Sequence, residues 1–360
     1  MPKSNLNERY QKILKATVKH YIATAEPVGS KTLVEGYNFR VSSATIRNVL
    51  GQLEKEGFLY QPHTSSGRVP SDSGYRIYVD ELMSPDETIS KQVEQNLLHQ
   101  LKRESWHFDT LLQRATQILA NISGYIAIIT LPQTASNKLK HLQLVQVSSK
   151  QMMLIIVTDG YQTQSVLMDI PATILDDETE VLAELNILSN FLNHQLKGYS
   201  VSELVNLDWS RIDQEFLQYK NFIKNLVQEI SQRLQVEQTP SIIMHGVSEV
   251  LRHPEFSHLQ QVQMLLHLLE QQQDQLIPLI CEYSESETLS KKVNVRIGSE
   301  NPLKSMRICT LVSAVYRQGE YPVGSVGIIG PTRMLYENTI SLVETTADYL
   351  TEALSDFITA

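Results

Sequence analysis

The sequence predicts a multidomain α+β protein: a small helical module with a β-hairpin precedes a larger α/β body that is interrupted by a helix-rich insertion. The first observation is length, because 360 residues are about two to three times the usual size of one domain. The second is a helical spacing of apolar residues in the N-terminal part of the chain. The third is that strand-like segments flank a long helix-rich interval on both sides.

Composition excludes several classes of protein. The chain is 42% apolar and 20% charged, which is typical of a folded protein and too apolar for a disordered one. Its apolar runs are far shorter than the ~20 residues that cross a bilayer, and its polar start lacks a signal-peptide apolar region. Cys281 and Cys309 are too few for a disulfide framework or a thiolate metal cage, so we expect a cytoplasmic protein without a metal or other cofactor.

Charge is divided unevenly along the chain. Residues 1–80 contain eleven Lys or Arg against seven Asp or Glu, whereas the remainder contains twenty against thirty-three, and the whole chain carries −9. A small basic part therefore precedes a large acidic body, an arrangement that suits a polyanion-binding module joined to a body with another task. Chance fluctuation explains this charge division equally well.

Three helices are predicted in the basic part. The first has apolar residues at steps of three and four and stops before Glu26-Pro27. A short second helix can be capped by Ser30 and closed by Gly36. Ser42 or Ser43 can cap the third, whose buried stripe is Ile46, Leu50 and Leu53 and which ends at Glu56-Gly57. Two helices joined by a tight turn after a supporting helix are typical of a helix-turn-helix.

The opposite face of the third helix carries polar side chains suited to DNA. Arginine pairs bidentately with guanine and asparagine with adenine, while hydroxyl and free helix-start N–H groups hold phosphate oxygens. An ordinary solvated face remains the alternative. The candidates for contact with double-stranded DNA on this helix are Ser43, Thr45, Arg47, Asn48 and Gln52.

A hairpin, or wing, is predicted after the third helix. Residues 58–60 form a short strand, a polar tip follows, and Val69 and Pro70 begin the return. An arginine at such a tip can follow the DNA backbone or enter a narrow minor groove, although a plain surface hairpin also contains Ser and Gly for turn reasons. The candidates on the wing are His63, Thr64, Ser65, Gly67 and Arg68.

The chain also resembles the HrcA-type heat-inducible transcription repressors. The resemblance rests on SSATIRNVLGQLEKEGFLYQPHTSSGRVPSDSGYRIYV from Ser42 to Val79, on YIATAEPVGSKTL from Tyr21 to Leu33, and on the stretch from IGSEN at Ile297 to GPTRMLY ending at Tyr336. The sequence departs from the family pattern at Val49-Leu50-Gly51, where an acidic residue, Met and Ala are expected, and at Ser66, where Ala is usual. None of these departures removes a candidate DNA contact.

The resemblance implies a repressor that binds, as a homodimer, an inverted-repeat operator ahead of chaperone genes. It implies that heat stress inactivates the repressor and that a chaperonin partner restores the active fold. It also implies a GAF-like α/β domain split by an inserted dimerisation region. The segments expected on this basis are a winged helix-turn-helix at 1–83, a linker helix at 84–104, the two parts of the GAF-like domain at 105–169 and 259–360, and the helix-rich insertion at 170–258.

Strands and helices of the body are predicted from local patterns. Strands are expected at 124–131, 141–148, 152–158, 293–297, 307–316 and 324–329, with a hairpin turn at Ser149-Lys150 and a closing helix at 333–358. The insertion carries apolar stripes, one of which contains Leu185, Leu188 and Leu192. Such a stripe is either intrachain core or a dimer surface.

The alternatives to a heat-inducible repressor are an enzyme and a ligand-controlled repressor. An enzyme is disfavoured because the chain has no HExxH, no GxSxG and no P-loop, and because catalysis would leave the winged helix unexplained. We therefore expect no catalytic residues. A repressor of the GntR or GAF type, controlled by a small-molecule ligand, is the closer alternative, although no charged cluster identifies a ligand.

Overall fold

The computed structural model describes residues 6–64, 66–83, 91, 95, 108–132, 138–158, 163–171, 181–200, 203, 219–236, 241–281 and 292–359. The chain forms two compact units. The first contains residues 1–131 and 242–360, and the second contains residues 132–241. Helices and strands occur in both units, so the α+β class is confirmed.

The first unit begins with three helices, α1 (Glu8–Thr24), α2 (Ser30–Gly36) and α3 (Ser43–Lys55). Asn7 caps α1 by accepting from the Tyr10 N–H, and Ser42 caps α3 by accepting from the Thr45 N–H. Buried apolar side chains from all three helices, among them Ile13, Leu33 and Ile46, form one cluster. These helices begin and end within about two residues of the predicted positions because their caps and apolar spacing are local properties.

A two-stranded antiparallel hairpin follows α3. Its strands are β1 (Leu59–Tyr60) and β2 (Val69–Pro70), with Tyr60 opposite Val69. Ser71 then caps α4 (Asp72–Ile77), which continues as a π-helical turn from Tyr78 to Leu82.

A five-stranded antiparallel sheet forms the centre of the first unit. Its order is β7 (Ile242–His245), β3 (Ile126–Thr130), β10 (Tyr321–Pro331), β9 (Cys309–Gln318) and β8 (Val293–Ile297). Every residue of β3 is buried, as expected for a central strand packed on both faces. The helices of this part are α5 (Phe108–Ser123), α8 (Val247–Val250), α9 (Leu259–Gln271), α10 (Gln273–Ile280) and α11 (Tyr336–Thr359).

The second unit contains a three-stranded antiparallel sheet, β4 (Leu139–Gln146), β5 (Gln151–Thr158) and β6 (Thr163–Asp169). Its helices are α6 (Val181–Leu196) and α7 (Lys220–Val236). Alternate residues of β5 are buried, and these pack with α6 and α7 in a second hydrophobic cluster.

The boundaries of the inserted unit differ from those expected. The sequence predicts that 105–169 form the first part of the split domain and that 170–258 form the insertion. The strands of 139–169 pack within the second unit instead, and residues 242–258 belong to the first. Six strands of the body were predicted near their observed positions, whereas β6 (Thr163–Asp169) and β7 (Ile242–His245) were not predicted as strands. An alternating pattern shows which face of a strand is buried but not which sheet the strand joins, so sheet membership was not predictable. The chain enters the second unit after β3 and re-enters the first unit at β7, and β3 and β7 are antiparallel neighbours in the five-stranded sheet.

One apolar stripe of the insertion is intrachain core. Val181, Leu185, Leu188, Leu192 and Leu196 are at most 1% exposed, and their helix packs on β4. The interpretation of this stripe as a dimer surface is therefore wrong. Most of the predicted linker helix at 84–104 lies outside the described residues. Among the helices that the structure describes, none is long and apolar enough to cross a membrane.

Candidate nucleic-acid interface

Helix α3 separates a buried face from a polar one. Ile46, Leu50 and Leu53 are at most 4% exposed and pack in the module core, whereas Arg47 and Asn48 are exposed. The buried stripe recurs at steps of four and three residues. Helical geometry therefore places Arg47 and Asn48 on a different side of α3 from the stripe. A guanidinium and a carboxamide are thus available together near the middle of one short helix.

The N-terminal hydroxyls of α3 are partly engaged within the module. The Ser43 hydroxyl lies 3.0 Å from that of Ser30 and shares a hydrogen bond with it, which joins the starts of α2 and α3. The Thr45 hydroxyl shares a hydrogen bond with the Ser42 hydroxyl at 2.9 Å. Both Ser43 and Thr45 are half-buried, and these contacts hold the helix start in place. Each hydroxyl has one proton, so it can donate to a phosphate oxygen only when it accepts in its internal hydrogen bond.

Gln52 lies about two helical turns beyond Thr45 on α3. Its Nε2 donates to the Glu56 carboxylate at 2.8 Å, and the side chain is half-buried. A base contact from Gln52 would therefore require this intrahelical hydrogen bond to be exchanged.

The hairpin tip presents two of its five candidates openly. His63 and Thr64 are exposed, and Ser65 lies outside the described residues. The tip is braced from within by two residues that the sequence analysis did not propose as contributors. The Gln61 amide donates to the carbonyl oxygens of Thr64 at 3.0 Å and Ser66 at 2.9 Å.

Ser66 completes this brace. Its hydroxyl accepts from the His63 N–H at 3.0 Å and donates to the His63 carbonyl at 2.7 Å. An alanine, the residue usual at this position of the family pattern, would lose both bonds. The sequence signal that could have identified the brace is the serine itself, because hydroxyls at turns bond to nearby backbone.

Gly67 is required by packing. A Cβ at this position would lie 2.5 Å from the carbonyl oxygen of Pro27, closer than real side-chain contacts allow. The hairpin therefore approaches the segment between α1 and α2 backbone to backbone, and Gly67 contributes this close approach instead of a side-chain contact.

Arg68 lies at the base of the hairpin and not at its tip. Its N–H and C=O exchange hydrogen bonds of 2.9 Å with the backbone of Val28. Its guanidinium lies 2.8 Å from the Glu54 carboxylate of α3, and its side chain is only 21% exposed. The Arg68 charge is thus already paired within the protein, and the pair ties the hairpin to the helix that carries Arg47 and Asn48.

The described residues contain no group of three or more His, Cys, Asp or Glu side chains placed to hold a metal ion. The exposed basic side chains among the described residues of α1, α2, α3 and the segments between them are Arg9, Lys12, Lys19, Lys31, Arg40, Arg47 and Lys55. The chemistry available in this part of the molecule is hydrogen bonding and charge pairing with an anionic partner.

Comparison with known proteins identifies the family. The family model described as the HrcA protein C-terminal domain matches residues 109–340. The heat-inducible transcription repressor HrcA of a Cyanothece species is 55% identical over 97% of this chain and 98% of its own length. The chain belongs to the HrcA family of heat-inducible transcription repressors. The HrcA proteins of a Synechocystis species and of Synechococcus elongatus are 54% and 49% identical over 97% and 98% of this chain.

A solved structure supports the fold of this HrcA chain. A crystal structure described as that of a hypothetical protein has a TM-score of 0.66 and 24% sequence identity, covering 98% of this chain and 99% of its own. The HrcA relatives are named for repression of transcription and not for catalysis. Their names also give heat as the inducing signal, and this does not favour control by a small-molecule ligand.

Proposed function

We propose that this HrcA chain represses transcription by placing α3 in the major groove of double-stranded DNA while the hairpin follows the adjoining backbone, as a winged helix-turn-helix does. The observation that carries the proposal is the joint exposure of Arg47 and Asn48 on the face of α3 opposite its buried stripe. Such a pair can read guanine and adenine edges, whereas hydroxyls and backbone N–H groups at the helix start position phosphates.

The roles assigned to the candidates differ. Arg47 and Asn48 are proposed as base readers, and Ser43 and Thr45 as phosphate contacts at the helix start. His63, Thr64 and Ser65 are proposed to touch the backbone or minor groove from the wing. Gln52 is proposed as a secondary contact, and Gly67 and Arg68 as residues that place the wing.

Dimerisation is proposed through the outer face of the three-stranded sheet. On this face Val145, Met153 and Leu167 stand opposite one another across the three strands, and Val145 and Leu167 are 40% and 54% exposed. An apolar row on an open sheet face is typical of an interaction surface, and a homodimer has the two-fold symmetry of an inverted-repeat operator.

Leu167→Arg tests this face. We expect light scattering to show a monomer for Leu167→Arg and a dimer for Leu182→Arg, its matched control at an exposed leucine of α6 that is 59% exposed in the native chain. A dimer in the first variant and a monomer in the second would move the interface to α6.

The five-stranded sheet and its flanking helices are proposed as the GAF-like domain that the insertion splits. The repressor is further proposed to lose its active fold on heating and to recover it with the help of a chaperonin. The chaperonin part rests on the family resemblance alone, while the heat response agrees with the names of the relatives.

One titration tests the whole proposal. The full chain first selects duplexes from a random pool, and the recovered inverted repeat serves as the probe in gel-shift titrations from about 20 °C to about 65 °C, a range that includes the ~45–65 °C at which mesophile domains unfold. We expect tight binding at the low end, loss at the high end, and recovery on cooling that chaperonin accelerates. Failure to select any duplex would exclude DNA binding, and a chaperonin without effect would remove that partner.

A further inference from the structure

Two C-terminal segments that carry the family resemblance contact the DNA-binding module. They are Ile297–Asn301, with the sequence IGSEN, and Gly330–Tyr336, with the sequence GPTRMLY. Both belong to the same compact unit as the module, and the buried apolar residues of module and body form one cluster. DNA recognition by α3 does not use either segment, so the contacts require a separate explanation.

The first contact joins IGSEN to the start of α4. The Asp72 carboxylate accepts from the Ser299 N–H at 2.8 Å. Gly298 has a φ of +51°, and a Cβ there would overlap the Asp72 carboxylate. Both the backbone conformation and the space therefore require glycine at this point of IGSEN.

The second contact is a two-pronged ion pair on the next turn of α4. The Arg76 Nε donates to Glu300 Oε1 at 2.8 Å, and its Nη2 donates to the other carboxylate oxygen of the same residue and to the Val295 carbonyl at 2.5 Å. Glu300 also accepts from the Ile297 N–H at 2.8 Å, and this second hydrogen bond helps to hold the carboxylate in the orientation that faces Arg76. A bidentate pair of this kind specifies orientation as well as distance.

The third contact is made by GPTRMLY with both α1 and α4. The Arg333 Nη1 donates to the carbonyl of Ile22 in the last turn of α1 at 2.8 Å, and its Nε donates to Glu255 at 2.6 Å. The buried Tyr336 ring lies 5.8 Å from that of Tyr75 in α4. The body therefore contacts the module at two of its helices, α1 and α4, in addition to the shared apolar cluster.

We propose that Asp72, Arg76 and Arg333 are positioning residues for operator binding, which lock the module on the body of its own unit and thereby narrow the range of half-site spacings that the dimer accepts. The inference rests on the proposed dimer and inverted repeat. A dimer reads two half-sites at a separation fixed by the distance and angle between its two modules. If each module were hinged, several spacings would bind alike.

The test measures affinity against spacing. The inverted repeat selected by the native chain is resynthesised with its half-sites one or two base pairs closer together or further apart, and a duplex with a single half-site serves as reference. We expect Arg76→Met to reduce the ratio of affinities for the best and worst spacings about tenfold, since it removes the two-pronged pair, and to leave single half-site affinity unchanged. Arg307→Met, its matched control at an exposed arginine of the body, should keep the native ratio.

A second pair of variants separates positioning from folding. Glu300→Gln keeps the size of the side chain and should reduce the spacing ratio in the same direction as Arg76→Met, while the double variant Arg76→Glu with Glu300→Arg should recover part of it. A native spacing ratio in a folded Arg76→Met or Glu300→Gln protein would overturn the inference. If the native chain binds DNA but shows no spacing preference, the lock is refuted while DNA binding stands; if it selects no duplex, the proposed function fails first.

Discussion

Arg68 of the hairpin and Glu54 of α3 form an ion pair, with Arg68 Nη2 2.8 Å from Glu54 Oε2. Both side chains are largely covered, at 21% and 33% exposure. The sequence suggested Arg68 as a cation at the tip of the wing that follows the DNA backbone or enters a narrow minor groove. In the fold this cation is neutralised by a carboxylate on the neighbouring helix, so placing the wing is a sufficient role for it.

Glu54→Gln distinguishes the two roles of Arg68 by the sign of its effect. Removing a negative charge near DNA strengthens binding when electrostatics alone acts. Removing the carboxylate that holds the wing in place weakens DNA binding when the main role of Arg68 is to position the wing. We expect Glu54→Gln to weaken binding of the selected operator several-fold in gel-shift titrations, on the order of a lost charge-assisted hydrogen bond.

Glu35→Gln is the matched control for this experiment. Glu35 is an exposed acid on α2, so its loss should leave operator affinity unchanged or raise it slightly. Clearly tighter binding in Glu54→Gln than in Glu35→Gln would show that Arg68, once released from Glu54, contacts a phosphate, and the role first suggested by the sequence would stand.

Arg47→Ala and Asn48→Ala should each lower discrimination between operator and random duplex. A bidentate base contact contributes about 1–3 kcal/mol of discrimination, so the affinity ratio should fall about tenfold to a hundredfold while binding to random duplex changes less. Competition titrations at constant salt measure this ratio. Arg9→Ala, which removes an exposed arginine of α1, should leave the ratio unchanged. An unchanged ratio in both α3 variants would exclude this helix face as the reader.

The sequence predicted what depends on neighbours along the chain. The stripe of Ile46, Leu50 and Leu53 and the cap at Ser42 located α3 within a residue or two. The ion pair of Arg76 with Glu300 was not predictable in this way, because 224 positions separate its partners and only tertiary packing brings them together.

The same limit applies to the candidate site. Exposure of Arg47 and Asn48 followed from helical periodicity. The pairing of Arg68 depends on how closely the hairpin approaches α1, α2 and α3, which Gly67 permits by lacking a Cβ. Local patterns show which residues are polar and outward-facing, but not which of them already have a partner.

Gly51→Ala should stabilise the protein. Gly51 lies inside α3, and a Cβ there would meet no atom within 4 Å. Alanine in a helix interior is about 0.5–1 kcal/mol more stable than glycine, so calorimetry should give a higher Tm, and operator binding should persist to a correspondingly higher temperature. Gly74→Ala is the opposite case, because its Cβ would overlap the Phe58 carbonyl. A lower Tm for Gly51→Ala would mean that the helix propensity of residue 51 does not limit the thermal stability of this module.

Cys309 should report the opening of the five-stranded sheet. The residue is 0% exposed at the start of β9, and burial raises the pKa of its thiol to about 12. Because the thiolate is the reactive form, only about one Cys309 in ten thousand is ionised at pH 8, and burial blocks access as well. In a Cys281→Ser variant, iodoacetamide should therefore leave the folded protein unlabelled and modify Cys309 only when the sheet opens.

This labelling also tests how heat inactivates the repressor. The N-terminal module and the sheet share one hydrophobic cluster, so they should lose their structure together. We expect Cys309 labelling and loss of operator binding to rise over the same temperature interval. If operator binding disappeared several degrees before Cys309 became reactive, the module would open independently of the sheet, and inactivation would begin at the contacts of α1 and α4 with the body.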